Sequence, residues 1–280
     1  MNIGIRLHDT APGTLKERLG FAREQGFTCA HVALSKVLPD FAMADAPALL
    51  TDELAGEVRS ALAETGMECA VLGCYLSLAT PDVEALHKTQ DIYRAHLRFS
   101  RKIGAGVVGT ETPASPDSGM DWAACQTEEA FQMIVDRLRP LARCAEEEDA
   151  ILAIEPVYVH IISNPLRAER MLEALGSDHV RIILDSVNLL SWANADHAQD
   201  VIGEAIRRLG ERVSVLHMKD YTLDGEKKKV LSTACGLGGM EYGQLLSFVR
   251  KRDLPMTLED TRPENARQAR EYLEKAALKL

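Results

Sequence analysis

The stretch RIILDSVNLLSWANADHAQDVIGEAIRRLGERVSVLHMKD, residues 181–220, contains one strand–helix–strand unit. Its two apolar runs, Arg181–Asp185 and Val213–Met218, have the length and the β-branched content of buried strands. Between them, Asp200–Leu209 carries apolar residues at three- and four-residue spacing, which is typical of an amphipathic helix. Two strands connected through a helix pair in parallel, so this unit predicts an α/β fold with a parallel sheet.

The same unit repeats along the rest of the chain. Further strands are predicted at Ile3–Leu7, Cys29–Leu34, Glu68–Tyr75, Gly106–Thr110, Ile151–Pro156 and Met256–Glu259. Further helices are predicted at Thr14–Gln25, Asp52–Thr65, Val83–Ile103, Thr127–Glu148, Leu166–Leu175, Tyr242–Lys251 and Pro263–Ala277. The 280 residues thus divide into eight units of about 35 residues. No linker interrupts them, so the sequence predicts a single (β/α)8 TIM barrel over residues 1–280, with a doubly wound open sheet as the alternative.

The composition is that of an ordinary soluble globular protein, with 46% hydrophobic and 26% charged residues. No apolar run approaches the roughly 20 residues that a membrane-spanning helix needs. The first nine residues, MNIGIRLHD, contain an Arg and an Asp where a signal peptide would be apolar, so a cytoplasmic location is expected. The formal net charge of -10 disfavours binding to nucleic acid or to anionic lipid. We therefore expect a small-molecule partner, and a homo-oligomer is compatible with the sequence.

Several familiar catalytic motifs are absent or out of place. GAGVVG at Gly104–Gly109 matches GxGxxG, but here a helix ends and a strand begins, the reverse of the order in a dinucleotide-binding fold. HExxH, GxSxG and the Walker loop do not occur. The long segments that follow predicted strands are Ser35–Thr51, Thr112–Gln126 and Tyr221–Met240. Active-site loops of a barrel follow its strands, so we expect the functional face at the carboxyl ends of the strands.

Four side chains that can bind a metal ion lie at the ends of the last four predicted strands. They are Glu155 in LAIEP, Asp185 in IILDS, His217 in SVLHMKD and Glu259 in MTLED. The gaps between them are 30, 32 and 42 residues, about one barrel unit each, so the four should follow one another around one rim. Three carboxylates and one imidazole suit Mn²⁺, with Mg²⁺ and Co²⁺ as alternatives. Carboxylates crowded together without a cation would repel one another, which indicates a metal ion or a shared proton.

Four stretches carry a resemblance to a known family: LDSVNLL from Leu184, LHMKD from Leu216, CGLGGMEYG from Cys235 and LEDTRPEN from Leu258. They resemble strand ends and loops of the xylose isomerase-like barrel superfamily, which includes sugar phosphate isomerases and epimerases, inosose dehydratases and endonuclease IV. The resemblance covers nearly the whole chain. It implies that the four candidate ligands bind a divalent metal ion.

Two positions separate the chain from the ketose 3-epimerases of this superfamily. Those enzymes carry a histidine three residues after the aspartate ligand, where this chain has Asn188, and an arginine six residues after the histidine ligand, where Leu223 stands. His217, Lys219 and Asp220 instead match the HxKD branch, which contains lyases as well as isomerases. The resemblance implies a metal-dependent isomerase or epimerase of a sugar, keto-sugar or sugar phosphate. A lyase on the same site is the first alternative, and a non-catalytic or nuclease member is the second.

Enzymes of this type remove a proton from a carbon next to a carbonyl, while a divalent cation stabilises the negative charge that develops. The resemblance assigns the proton transfer to Glu155 and Glu259. Lys219 lies two residues after His217, on the same side of the strand, where it would reach a substrate oxygen. Candidate substrate-binding residues are His8, Glu111, His160 and Asn188. CGLGGMEYG follows the seventh strand, where barrels often bind phosphate, although a mobile lid would have the same glycine content.

Overall fold

In the computed structural model, which describes residues 1–112 and 120–280, eight parallel strands close into a barrel surrounded by helices. In chain order the barrel strands are β1 (Ile3–Arg6), β2 (Cys29–Val32), β3 (Glu68–Gly73), β4 (Val107–Glu111), β5 (Leu152–Glu155), β6 (Val180–Asp185), β7 (Val213–Met218) and β10 (Met256–Leu258). Two further strands, β8 (Asp220–Asp224) and β9 (Lys229–Thr233), form a separate hairpin. The order around the barrel is β1, β10, β7, β6, β5, β4, β3, β2, and β2 pairs with β1. The predicted (β/α)8 TIM barrel is confirmed.

The helices that surround the barrel begin and end at residues whose chemistry explains the boundary. They are α1 (Leu15–Glu24), α2 (Leu34–Val37), α3 (Ala46–Leu49), α4 (Asp52–Thr65), α5 (Val83–Ile103), α6 (Trp122–Cys125), α7 (Glu128–Glu147), α8 (Pro165–Leu175), α9 (Ala198–Leu209), α10 (Gly243–Arg252) and α11 (Ala266–Ala277). Thr14 and Glu17 form a capping box at α1, and the Asn164 side chain caps α8. Gly66 and Gly104 end α4 and α5 in the left-handed conformation.

The structure corrects one predicted loop and adds detail to two others. Tyr221–Met240, predicted as irregular, contains the antiparallel hairpin β8–β9. Most side chains of this hairpin are exposed or half-buried, so the sequence lacks the apolar alternation of a strand with one buried face. Ser35–Thr51 contains the short helix α3, and α6 lies within Thr112–Gln126, of which residues 113–119 are outside the described part of the chain.

The barrel interior is arranged in layers, which determines where the polar site lies. The lower layer is an apolar cluster, separate from the main core: Cys29, Ala70, Val71, Val107, Ala153, Ile183 and Val215. Side chains on a strand alternate between its two faces, so a residue two positions further along points into the barrel again. Those positions are His31, Gly73, Gly109, Glu155, Asp185 and His217. The polar residues therefore form the next layer, directly above an apolar floor.

The buried carboxylate of Asp220 holds the base of the hairpin. It accepts hydrogen bonds from the backbone N–H groups of Tyr221, Gly236 and Met240, at 2.8, 3.0 and 2.8 Å. A Cβ at Gly238 would lie 2.5 Å from an Asp220 oxygen, so only glycine fits there. The glycine-rich CGLGGMEYG segment thus directs two of its N–H groups to an internal carboxylate. No helix in the described residues is both long and apolar enough to span a bilayer.

Candidate metal centre and adjoining cavity

The ends of three neighbouring strands bring Glu155, Asp185 and His217 together inside the barrel. One ligand atom from each lies within 4.8 Å of the others, and all three side chains are buried. Asp185 pairs with His217 in the register of β6 and β7, which explains why a spacing of about one barrel unit places them side by side. The cluster therefore lies at the carboxyl ends of the strands, the face that the sequence predicts to be functional.

Glu259 follows β10 directly and reaches the same cluster from the other side of β7. Its carboxylate, His217 and His31 form a second group of possible ligand atoms, again within 4.8 Å of one another. The rings of His31 and His217 are nearly parallel, with centroids 5.2 Å apart and planes at 14°. A metal ion lies in the plane of an imidazole ligand, and two stacked rings do not both direct a lone pair at one ion in this way. This arrangement favours Glu155, Asp185 and Glu259 over His31 as the groups that share an ion with His217.

The environment of His217 fits a bound cation. Its Nδ1 lies 3.0 Å from a Glu155 oxygen and 3.2 Å from a Glu259 oxygen, but neither contact has hydrogen-bond angles. Both nitrogens of this buried ring lack a hydrogen-bond partner among the described residues. Burial lowers the pKa of His217, but Glu259 and Glu155 more than offset burial and raise it to about 9. The carboxylates therefore attract a positive charge to this point, which a proton or a divalent cation can supply.

Lys219 lies between two of the carboxylates. Its ammonium nitrogen is 3.0 Å from Asp185 and 3.3 Å from Glu259. Burial lowers the pKa of Lys219, but Asp185 and Glu259 raise it above the ordinary value, so the side chain is charged. Arg6 adds a second cation 3.8 Å from Glu259. Two cations against three carboxylates leave a net negative charge, which is compatible with one divalent ion.

The Asn188 side chain, predicted to bind substrate, also contacts the cluster. Its amide nitrogen donates a hydrogen bond of 2.6 Å to Glu155, and its backbone N–H donates one of 3.0 Å to Asp185. The N–H of Val187 donates a further bond of 2.9 Å to the same Asp185 oxygen. The loop after β6 thus fixes the orientation of two candidate ligands.

A cavity of about 540 Å³ opens above the cluster, which is enough space for a monosaccharide-sized molecule. Its wall contains all four predicted substrate-binding residues and two of the three predicted catalytic ones: His8, Glu111, His160, Asn188, Lys219 and Glu259. Glu155 is the exception, since it is almost fully buried and does not line the cavity. The structure thus brings the candidate residues to one place but gives the two predicted proton-transferring glutamates unequal access.

Glu111 and His160 face each other across one wall of the cavity, with 3.6 Å between His160 Nδ1 and a Glu111 oxygen. Burial, and then the charges of Glu155 and Glu259, raise the pKa of Glu111 to about 8. Burial lowers the pKa of His160 to about 4. The opposite wall holds His8, whose pKa burial and Arg6 also lower to about 4. At neutral pH these side chains are therefore neutral hydrogen-bonding groups.

The fold agrees with what comparison with known proteins finds. The family described as the xylose isomerase-like TIM barrel matches residues 19–276, which is most of the chain. The chain belongs to this family. No curated protein matches it.

Solved structures of this barrel family superpose on the chain over nearly its full length. The 3-keto-D-glucoside 4-epimerase from E. coli has a TM-score of 0.73 and 18% identity, and the match covers 98% of this chain and 99% of that one. The IOLI protein with a bound zinc atom has a TM-score of 0.72 and 16% identity, with 100% and 97% covered. A probable 3-DHS dehydratase from Bacillus anthracis has a TM-score of 0.72 and 14% identity, with 98% of both chains covered. At these identities the likeness shows the fold alone.

Several residues that line the cavity do not figure in the sequence predictions, among them Arg6, His31 and Tyr75. The strand alternation contains a signal for His31, because it lies two residues after the inward-facing Cys29, in the same layer as the candidate ligands. Arg6 and Tyr75 carry no comparable signal, since a single arginine or tyrosine at a strand end has many structural explanations.

Proposed function

We propose that this protein is a divalent-metal-dependent isomerase or epimerase of a sugar, keto-sugar or sugar phosphate that acts by proton abstraction next to a carbonyl. The observation that carries the proposal is the buried cluster of three carboxylates and a histidine at the floor of a cavity that is large enough for a monosaccharide. The metal ligands in this proposal are Glu155, Asp185, His217 and Glu259. Mn²⁺ is the proposed native ion, because the ligand set is rich in oxygen and contains one nitrogen.

A divalent cation in this centre supplies Lewis-acid stabilisation of the negative charge that develops on a substrate oxygen during proton removal. The protein supplies the proton acceptor. Glu259 lines the cavity, and although burial opposes it, His217, Lys219 and Arg6 hold its pKa below the ordinary range. The carboxylate is thus ionised and can accept a proton from the substrate carbon. A carboxylate of low pKa is a weak base, so the acidified C–H bond is essential to the reaction.

Return of the proton to the opposite face of the substrate carbon, as an epimerase requires, needs a second group. Glu155 is the proposed second group. Because the Asn188 amide lies between its carboxylate and the cavity, the Asn188 side chain must move aside or relay the proton. The cavity wall also offers Glu111, which is protonated at neutral pH and can donate a hydrogen bond to a substrate oxygen. His8, His160 and Asn188 are the proposed partners of the substrate hydroxyl groups. The Lys219 ammonium group would stabilise an anionic oxygen.

A lyase is the second candidate. Loss of a substituent from the neighbouring carbon begins with the same proton abstraction, so the same residues would serve a dehydratase. The superposition with a probable 3-DHS dehydratase, as close as that with the epimerase, favours keeping this candidate.

One experiment separates these reactions. The Mn²⁺-loaded protein is incubated in deuterated water with ketoses, keto-sugars and their phosphates, and products are followed by mass spectrometry and NMR. The isomerase or epimerase predicts a product of the same composition that carries deuterium on the carbon next to the carbonyl. A dehydratase product is lighter by one water. An unlabelled isomer would indicate direct hydrogen transfer and would leave the two glutamates as ligands only. Protein treated with a chelator is the control, and we expect Mn²⁺ or Co²⁺ to restore activity better than Ca²⁺.

A further inference from the structure

His31 is a buried polar residue that nothing in the proposed mechanism uses. It lies in β2 with 3% of its surface exposed, and neither ring nitrogen has a hydrogen-bond partner in the described part of the chain. A buried, unpartnered polar group destabilises the folded state. An apolar side chain of similar size would therefore serve the barrel better, so stability does not explain a histidine here.

The surroundings of His31 connect it to the metal centre. Its ring lies between Tyr75, with centroids 5.5 Å apart, and His217, with centroids 5.2 Å apart. A ring nitrogen lies within 4.8 Å of possible ligand atoms of His217 and Glu259. Gly73 leaves the space, because a Cβ there would lie 2.7 Å from His31 Nε2. Glycine inside a strand weakens it, and here it makes room for the polar ring.

We propose that His31 is a positioning residue of the metal centre. Its ring stacks on His217 and holds the plane of that ligand, and one of its nitrogens lies within 4.8 Å of a Glu259 oxygen. The inference rests on the proposed metal site. Residues that orient metal ligands in this way typically change metal affinity by 10- to 100-fold when they are replaced.

The test is a calorimetric titration of the purified full chain, first stripped of metal, with Mn²⁺. His31→Phe keeps a ring for stacking but removes both nitrogens, His31→Gln keeps a hydrogen-bonding group but removes the ring, and His31→Leu removes both. We expect His31→Leu to lose about 10- to 100-fold in affinity and the other two variants to lose less. His96→Phe is the matched control, since His96 is also fully buried but bonds to the Ile92 carbonyl within its own helix. Its affinity for Mn²⁺ should equal that of the wild type.

The melting temperature of the metal-free protein distinguishes positioning from packing. His31→Phe should melt no lower than the wild type, because it removes two unpartnered buried nitrogens. A lower melting temperature with unchanged affinity in all three variants would make His31 a packing residue and overturn the proposal. Loss of more than about 1,000-fold, with a changed order of metal preference, would make it a direct ligand and overturn it as well. If the wild type itself binds no divalent ion, the proposed function fails along with this inference.

Discussion

The side-chain amide of Asn188 donates a hydrogen bond of 2.6 Å to the carboxylate of Glu155, and this bond fixes a group that the cavity itself does not reach. Asn188→Ala should free that carboxylate and lower the affinity for Mn²⁺ by about 10- to 100-fold. Titration with Mn²⁺ measures the effect. If Asn188 instead binds only substrate, as its place in the cavity wall also allows, the variant would keep its metal affinity and raise KM alone.

Replacement of two buried aspartates, Asp185 and Asp220, should have opposite effects on metal affinity and on stability. One Asp185 oxygen accepts two backbone N–H bonds, and the amide oxygen of an asparagine could accept the same two bonds. Asp185→Asn should therefore fold but bind Mn²⁺ far more weakly. The increase in melting temperature that Mn²⁺ gives the wild type should then be lost. Asp220 accepts three backbone N–H bonds, and Asp220→Asn should lower the free energy of unfolding by about 1–3 kcal/mol while metal affinity stays unchanged.

Chemical denaturation and Mn²⁺ titration of both aspartate variants provide the measurement. His217→Ala should behave as Asp185→Asn does, because it removes a ligand from the same cluster. Tight Mn²⁺ binding by either of these variants would contradict the ligand assignment.

Two buried tyrosine hydroxyls, those of Tyr75 and Tyr93, differ in whether they have a hydrogen-bond partner. The Tyr75 hydroxyl lacks a hydrogen-bond partner among the described residues, whereas Tyr93 donates a bond of 2.7 Å to the Leu76 carbonyl. Tyr93→Phe should therefore destabilise the protein by about 1–3 kcal/mol and leave its activity intact. Tyr75→Phe should not lower the melting temperature, because it removes only a hydroxyl without a partner and keeps the ring that stacks on His31. Equal stability losses in the two variants would contradict this contrast.

The fold could be predicted from the sequence because most barrel strands are short apolar runs that end at or just before a polar residue, as IILD at 182–185 shows. Helix boundaries that coincide with a capping residue, such as Asn164 before α8 and Gly104 after α5, can also be predicted from the sequence. The sequence does not predict the hairpin β8–β9, because most of its side chains are exposed or half-buried and only Tyr221 and Val230 pack against the core, so burial imposes no alternating pattern on its residues. The base of the hairpin is held by Asp220, which in the sequence is recognised only as part of the HxKD motif.

The candidate ligands could be predicted because they combine a rare residue type with a repeated spacing. The contacts of Lys219 and Asn188 could not, since their partners are more than 30 residues away in sequence and depend on side-chain orientation. Gly73 and Gly109 illustrate the same limit. Each looks like an ordinary strand glycine, yet a Cβ at these positions would approach His31 and Tyr75 to 2.7 and 3.2 Å.

The protein should lose stability in mild acid because of His160. Burial holds its pKa at about 4 in the folded state, whereas an unfolded histidine titrates near 6.5. Below pH 6.5 the unfolded chain thus binds a proton that the folded one does not, and the free energy of unfolding falls until the pH reaches about 4. With a side chain that is 15% exposed, the loss should be about 2 kcal/mol.

His160→Asn should remove this part of the pH dependence. Urea denaturation at pH 7 and pH 4.5 gives the comparison, and the difference between wild type and variant separates His160 from the other titrating groups. Parallel decreases in the two proteins would show that His160 is not the origin of the acid sensitivity.

Glu259 is expected to combine two roles, and a single variant can separate them. Glu259→Gln keeps the shape of the side chain but removes the carboxylate that accepts the proton. At Mn²⁺ concentrations that saturate the variant, the rate should fall by at least about 100-fold, which is the lower end expected of general base catalysis. Deuterium exchange from solvent into the substrate should fall equally.

The neighbouring Asp260, which pairs with Arg6 on the same cavity wall, supplies the control. Its backbone has a φ of 53°, which asparagine tolerates, so Asp260→Asn should lose far less activity. If Glu259→Gln binds Mn²⁺ weakly but, once saturated, exchanges deuterium at the rate of the wild type, Glu259 is a ligand only and another group takes the proton.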